Sequence, residues 1–287
     1  MSSPSPWNPR QYDRFKAERA QPFFDLVAML RPAAAPRVVD LGCGTGELTA
    51  GLPERLGAAE VWGLDNSETM LAEARGRAAP GLRFAHADIA RFDEPGAWDV
   101  VLSNAALQWV PDHAAVLARW VASLAPGGQL AVQVPANADH PTHRVAAELA
   151  NEEPFRSAFI AGHPPPDAVA AHVLAPERYA ALLFGLGLRD PRVRLQVYCH
   201  LLDGPEQAVE WVKGTTLTRF KAALPPELFD RFVDRYRERL LARLAADEGA
   251  AAGRPYLYPF KRILMWGQAD TPVPYGVPPI EASGRVG

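Results

Sequence analysis

Cysteine is scarce: the chain has two in 287 residues, Cys43 and Cys199. Two thiols cannot build a disulfide framework or a four-ligand zinc site, and so few suit a reducing compartment. Cys43 lies between Gly42 and Gly44, where a small filler and a reactive thiol are both open readings. Long apolar runs are missing too. No stretch approaches the roughly 18 apolar residues of a membrane span, and the opening Met1 to Phe15 lacks a charged-then-apolar secretory pattern. A soluble, cytoplasmic protein is therefore expected. Charge of one sign is also lacking, since 30 basic and 33 acidic side chains leave a net charge of −3. That balance offers no general attraction to nucleic acid or anionic lipid. The expected partner is a small molecule, with no nucleic acid and no membrane, and the expected state is a monomer or a weak homodimer.

What is present is a regular alternation of apolar runs and breakers, long enough for one or two domains of about 150 residues each. "RVVDLG", "AEVWGLD", "LRFAHAD", the start of "WDVVLSNAALQWV" and "QLAVQVP" read as strands. "TGELTAGLPERL", "SETMLAEARGRA" and "HAAVLARWVASLAPGG" read as the helices between them. This is the pattern of a parallel sheet covered by helices. Pro53 predicts a kink or an early end to the first of these helices, because proline removes a helical hydrogen bond. After Val134 the alternation stops in a stretch rich in Pro and His, which reads as an excursion over the sheet. It resumes with a helix in "PERYAALLFGLGLRD", a strand in "RVRLQVYCHLL", two helical segments and a last strand, "YLYPFKRILMWGQA". The second helical segment is amphipathic: Leu228, Phe229, Phe232, Val233, Tyr236, Leu240, Leu241 and Leu244 share a stripe opposite Asp230, Arg231, Asp234, Arg235 and Arg239.

A strand that ends in Asp40 and is followed by Gly42, Gly44 and Gly46 and then a helix is the ligand-binding turn of an open parallel sheet. The second strand ends in Asp65, where an acid can take both hydroxyls of an adenosine ribose. Dinucleotides and S-adenosylmethionine both use such an acid. A dinucleotide turn wants G-x-G-x-x-G, whereas this chain has G-x-G-x-G, and a carboxylate at Asp40 would repel a pyrophosphate but suit a ligand with an ammonium and a sulfonium. Asp88 in "HADI" is placed to accept an adenine amine, with Ile89 against the ring. A helix N-cap is the plainer role for Asp88.

The set "VVDLGCGTGELT", "GLDNSETML", "FAHADI", "DVVLSNAALQWV" and "LAPGGQLAVQVP" resembles the class I S-adenosylmethionine-dependent methyltransferases. The resemblance implies an α/β, Rossmann-like fold: a mostly parallel seven-stranded sheet with helices on both faces and a helical cap. It implies S-adenosyl-L-methionine as cofactor. By matched position, Gly42, Gly44 and Gly46 serve its methionine portion, Asp65 the ribose, Met70 and Asp88 the adenine, and Asn104 the methionine end. Met70, at helical spacing from Ala74, equally suits a core position. The implied division is a helical cap segment over 1–34, a cofactor-binding core over 35–136, cap insertions and closing strands of the same domain over 137–270, and a flexible tail over 271–287.

The flanks are more particular. "WNPRQYDRFKAERAQP", "NAALQWVPDH", "VQVPANADHPTHRVAAELA", "VEWVKGTTL" and "YPFKRILMW" resemble a branch of that family that esterifies one carboxylate of trans-aconitate. A carboxylate is already ionised at neutral pH, so no catalytic base is required; alignment and removal of water should carry the rate. Cations and donors are needed for the carboxylates that do not react. By matched position these are Arg262, His143 and Tyr12, with Arg19 given to the cofactor's carboxylate. Gln108 and Trp109 follow the fourth strand and are expected to line the acceptor pocket, unless Trp109 is plain packing. The chain departs from the branch pattern at Gln21 and at Thr218 and Arg219, which leaves another small acid open as the acceptor. His140 and His143 with Asp139 lack a third strong ligand, so no metal is expected. A non-catalytic cofactor-binding module is the competing reading from another class, and an NAD-dependent dehydrogenase fails on the glycine spacing and on Asp40.

Overall fold

The computed structural model describes residues 20–248 and 250–270. The chain divides into two compact units, the first built from the described parts of Met1–Val134, Leu174–Arg194 and Ile263–Gly287, the second from Pro135–Val173 and Leu195–Arg262. The excursion predicted after Val134 thus begins where the second unit does. The first unit also includes 174–194 and the described residues after Arg262, within the span read as cap insertions and closing strands of the same domain.

In the first unit a helix at 20–27 (α1) precedes β1 (Arg37–Leu41), α2 (Leu52–Leu56), β2 (Glu60–Asp65), α3 (Glu68–Arg75), β3 (Leu82–His86), β4 (Trp98–Asn104), α4 (His113–Ala122) and β5 (Leu124–Pro135). The second unit opens with α5 (Pro141–Ala150), α6 (Phe155–Ala158) and α7 (Ala168–His172). The chain then gives α8 (Pro176–Gly185) to the first unit, and β6 (Leu188–Leu202) passes from it into the second. Next come α9 (Glu206–Lys213), α10 (Thr218–Ala223) and α11 (Pro226–Glu248), and β7 (Tyr256–Ala269) returns to the first unit.

Among the described residues, seven strands form one sheet in the order β3-β2-β1-β4-β5-β7-β6. The pairs β1 with β2, β1 with β4, β2 with β3 and β4 with β5 are parallel. The Rossmann-like expectation holds, and its reason is visible in burial. Val38, Val39, Leu41, Val101 and Leu102 are all fully buried, as strands covered on both faces require. Among the described residues, no helix is long and apolar enough to cross a membrane.

Three local expectations change. Pro53 stands in the first turn of α2, where its missing N–H costs nothing, so it starts a short helix instead of ending a long one. Residues Leu124 to Gly128, read as the end of a helix, belong to β5; the register against β4 shifts between Trp98 and Val100 to absorb them. The segment after Gly204 breaks into α9 and α10 at Gly214.

The stripe of α11 is the core of the second unit. Phe232, Tyr236, Leu240 and Leu244 are fully buried. The Phe232 ring meets Phe220 at 4.7 Å and Phe155 at 5.1 Å, and the Tyr236 hydroxyl donates to the Thr142 carbonyl at 2.9 Å. Phe232→Ala should therefore cost about 3–5 kcal/mol, whereas Asp230→Ala, on the exposed face, should stay within about 0.5 kcal/mol. Differential scanning calorimetry of both variants checks the contrast.

Candidate active site

The connection order of the sheet reverses between β1 and β4, and ligands of open α/β sheets bind beyond the carboxyl ends of the strands at such a point. Asp40 pairs with Leu102 in that register, so Asp40, one residue before the end of β1, and Asn104, the last residue of β4, lie near the carboxyl ends of adjacent strands. A cavity of about 300 Å³ opens there, with Asp40, Gly42, Gly44, Thr45, Asn104 and Phe23 among its walls. Asp40 is 3% exposed and accepts a hydrogen bond from the Thr49 hydroxyl at 2.6 Å. Burial pushes its carboxyl up to about 7; Thr49 lowers it and nearby Asp65 raises it further. Thr49 has no motif spacing to Asp40 and could not be singled out from the sequence.

The glycines divide by purpose. Gly42 has φ of 82°, and a Cβ there would lie 2.2 Å from the Ala106 Cβ, so the turn and the chain leaving β4 are packed against each other. Gly46 has φ of 69°, and its Cβ would lie 2.6 Å from the Phe84 ring. Contact with β3 and the left-handed φ are each enough to require glycine at 46. Cys43 is half-buried, and burial together with Asp40 and Asp65 drives its thiol well above the usual range. It is a filler and not a nucleophile.

Asp65, the last residue of β2, accepts two backbone hydrogen bonds, one carboxylate oxygen from the Gly44 N–H at 2.9 Å and the other from the Ser67 N–H at 2.8 Å. Each oxygen keeps a lone pair for a hydroxyl. Met70 is 44% exposed, which removes the core reading. Asp88 caps the 3-10 turn Ile89–Arg91, accepting from the Ala90 N–H at 2.9 Å. It lines a separate cavity of about 580 Å³ with Trp62, Phe92 and Trp98, so Asp88 does not share the cavity of Asp40. Ile89 is buried and its carbonyl accepts from the Trp120 indole at 2.9 Å. Asn104 lines the Asp40 cavity, and its Oδ1 is buried without a hydrogen-bond partner. A buried acceptor left open in this way suits a ligand that brings a donor.

The acceptor-side candidates fall in both units. Tyr12 and Arg19 lie outside the described residues. Gln108 is 5% exposed in the first unit; its Nε2 donates to the Ala105 carbonyl at 2.7 Å, and its buried Oε1 has no partner. Trp109 beside it is 67% exposed, which excludes plain packing. Within the second unit, His143 is buried with both ring nitrogens engaged, Nδ1 with Asp167 at 2.9 Å and Nε2 with the Thr216 hydroxyl at 3.3 Å. In this arrangement neither nitrogen is left for a substrate. That departs from the reading of His143 as a substrate ligand. Asp167 also pairs with Arg219 at 2.8 Å, and His143 and Arg219 hold its carboxyl far below the usual range against the opposing effect of burial. Arg262 lies in the same unit with its guanidinium over the Phe260 ring at 4.7 Å. His140 caps α5 through Thr142, and burial pushes it down to about 4. Among the described residues no cluster has metal-ligating composition. Gln21 donates to Asp25 at 2.7 Å.

Residues 38–128 match the family described as Methyltransferase domain. The chain is 44% identical over 263 residues to a trans-aconitate 2-methyltransferase of Deinococcus radiodurans, covering 90% of this chain and 96% of that one. It is 42% identical to a trans-aconitate 2-methyltransferase of Streptomyces coelicolor, covering 90% and 85%. Among solved structures, a putative methyltransferase of Bacillus halodurans is similar with a TM-score of 0.55 at 14% identity, covering 88% of this chain and 99% of that one. A Haemonchus contortus phosphoethanolamine N-methyltransferase, solved with S-adenosylhomocysteine, gives 0.52 at 17% identity and covers 87% and 52%. At such identities these two structures speak for the fold.

Asp40 makes a test of the site's electrostatics. Its folded value, about 7, stands above its ordinary 3.8, so the folded state holds a proton that the unfolded state releases. Stability is therefore lost as pH rises from 3.8 to about 7 and levels off above. Asp40→Asn should abolish that loss. The variant's melting temperature relative to wild type, measured without ligand, should start level near the acid end of this window and lead by several degrees above it.

Proposed function

The chain belongs to the trans-aconitate 2-methyltransferase family of class I methyltransferases, and from that membership we propose that it uses S-adenosyl-L-methionine to esterify one carboxylate of trans-aconitate. The products are the monomethyl ester and S-adenosyl-L-homocysteine. The observation that carries this reading is the pairing, at the reversal point of the sheet, of a buried acid with an acceptor that has no partner. Asp40 and the Asn104 Oδ1 together fit one ammonium group, and a cation beside Asp40 would return its carboxyl toward the ionised state. Asp65 has a lone pair on each oxygen for the ribose hydroxyls, and exposed Met70 opens α3 next to it.

When bound, the cofactor supplies a methyl group on a positively charged sulfur. The chain's work is placement. A bond forms between a carboxylate oxygen and the methyl carbon as the carbon–sulfur bond breaks, and its electron pair stays on sulfur. No proton moves, so no side chain has to act as a base; the nucleophile must be held in line and stripped of water. Gln108 and Trp109, just beyond Asn104, are the first-unit residues proposed to face the acceptor. Arg262 is proposed to read a carboxylate that does not react, with Tyr12, and Arg19 to hold the cofactor's own carboxylate.

A second reading, methylation of another and less charged acid, is favoured by one observation. Arg219 stands where the branch pattern departs, and its charge is committed to Asp167. The two free cysteines among the described residues and the near-neutral charge support a cytoplasmic enzyme that meets small molecules.

Incubation with S-adenosylmethionine and a panel of polycarboxylates, read by mass spectrometry, should show one added methyl on trans-aconitate. Esterification of a different acid alone would overturn the acceptor and leave the reaction class standing. Asp65→Ala should lower cofactor affinity at least tenfold by calorimetry, since it removes the ribose acid and the anchor of Gly44 together. Arg262→Ala should raise the KM for trans-aconitate about tenfold, with cofactor affinity unchanged.

A further inference from the structure

The segment that leaves β4 carries Gln108 and Trp109, and it is not held by its own backbone alone. Ala105 takes a φ of 54°, a left-handed conformation uncommon outside glycine, before the 3-10 turn Leu107–Trp109. The Leu107 carbonyl accepts from the Val110 N–H at 3.0 Å and also from His113 Nε2 at 3.0 Å. A carbonyl only accepts, so the proton of the ring sits on Nε2. Nδ1 is then the acceptor, and the Tyr179 hydroxyl donates to it at 2.6 Å. The Tyr179 oxygen in turn accepts from the Leu174 N–H at 3.2 Å. His113 is 3% exposed and Tyr179 fully buried, with the two rings stacked at 5.9 Å. All of these residues belong to the first unit.

We propose that His113, oriented by Tyr179, is a positioning residue for the acceptor: through the Leu107 carbonyl it holds the turn that presents Gln108 and Trp109. Sequence separation hides the device, because Tyr179 lies 66 residues beyond His113. The chain of bonds has one polarity, from the Leu174 N–H to Tyr179, from Tyr179 to the imidazole, and from the imidazole to the turn. Burial pushes the Tyr179 hydroxyl up to about 12, so it stays a donor throughout the pH range of an assay. A turn held at one carbonyl by a buried ring keeps Gln108 and Trp109 in the register in which they meet the acceptor, so loosening it weakens acceptor binding.

The proposal rests on the reading of Gln108 and Trp109 as the acceptor side, and its test separates the two. Glutamine can place its amide nitrogen where His113 has Nε2, whereas asparagine reaches only to the Nδ1 position. His113→Asn should speed hydrogen exchange at the Trp109 and Val110 amides and raise the KM for trans-aconitate, each about tenfold, with kcat and cofactor affinity nearly unchanged. His113→Gln should restore both. Equal effects of the two variants, or faster exchange with an unmoved KM, would overturn the proposal. If His113→Asn does not fold, Tyr179→Phe should loosen the same two amides to a lesser degree, and no change there overturns it as well. Should the wild-type protein esterify no polycarboxylate, the functional reading fails, while the exchange contrast between the variants still decides whether His113 holds the turn.

Discussion

The Asp40 carboxyl, near the end of β1, sits almost entirely out of water, with the Thr49 hydroxyl as its hydrogen-bond donor. Burying a charge without a cation is costly, which is why this group keeps a proton up to about pH 7. The surroundings follow from that constraint. Thr49 comes from the far side of the glycine turn, and the turn is pinned from outside by Asp65 through the Gly44 N–H. Gly42 admits Ala106 at a distance no side chain would allow, which brings the exit of β4 against the turn. The result is a small cavity with a proton-holding acid and an open acceptor, a place that gains most from a ligand bearing a cationic donor.

Methyl transfer to a carboxylate fits an enzyme of this construction. The nucleophile needs no activation, so polar side chains can be spent on holding two reactants in line. In the second unit, His143 is bound to Asp167 and Thr216, and Arg219 pairs with the same Asp167. These bonds order α5, α7 and the start of α10, with Asp167 capping α7. A His–Asp contact in a methyltransferase invites a catalytic reading, yet both ring nitrogens of His143 are engaged, by Asp167 and by Thr216.

Much of this was legible in the chain. Apolar runs between breakers located the strands, and four residues of the α11 stripe, Phe232, Tyr236, Leu240 and Leu244, came out fully buried. Asp40 and Gly42, singled out by a local strand–turn–helix pattern, and Asn104, singled out by matched position in the family, line one cavity. Other features were not local. Pro53 looks the same at the start of a helix as inside one until the preceding turn is known. Asp88 could cap or bind, and only the backbone after β3 shows that it caps. His143 reads as a ligand by position, because its partners Asp167 and Thr216 lie 24 and 73 residues away.

The amino-acid sequence by itself determined the class of sheet, the glycine turn with its two acids, and the family, since each depends on residue type at short spacing along one strand, turn or helix. Tertiary structure alone decided how those pieces act. Burial sets the proton on Asp40, contact with Phe84 explains Gly46, and the ring of His113 meets the turn of Gln108 only because α8 brings Tyr179 to it. Desolvation and hydrogen bonding depend on neighbours in space, and these neighbours are distant in the chain.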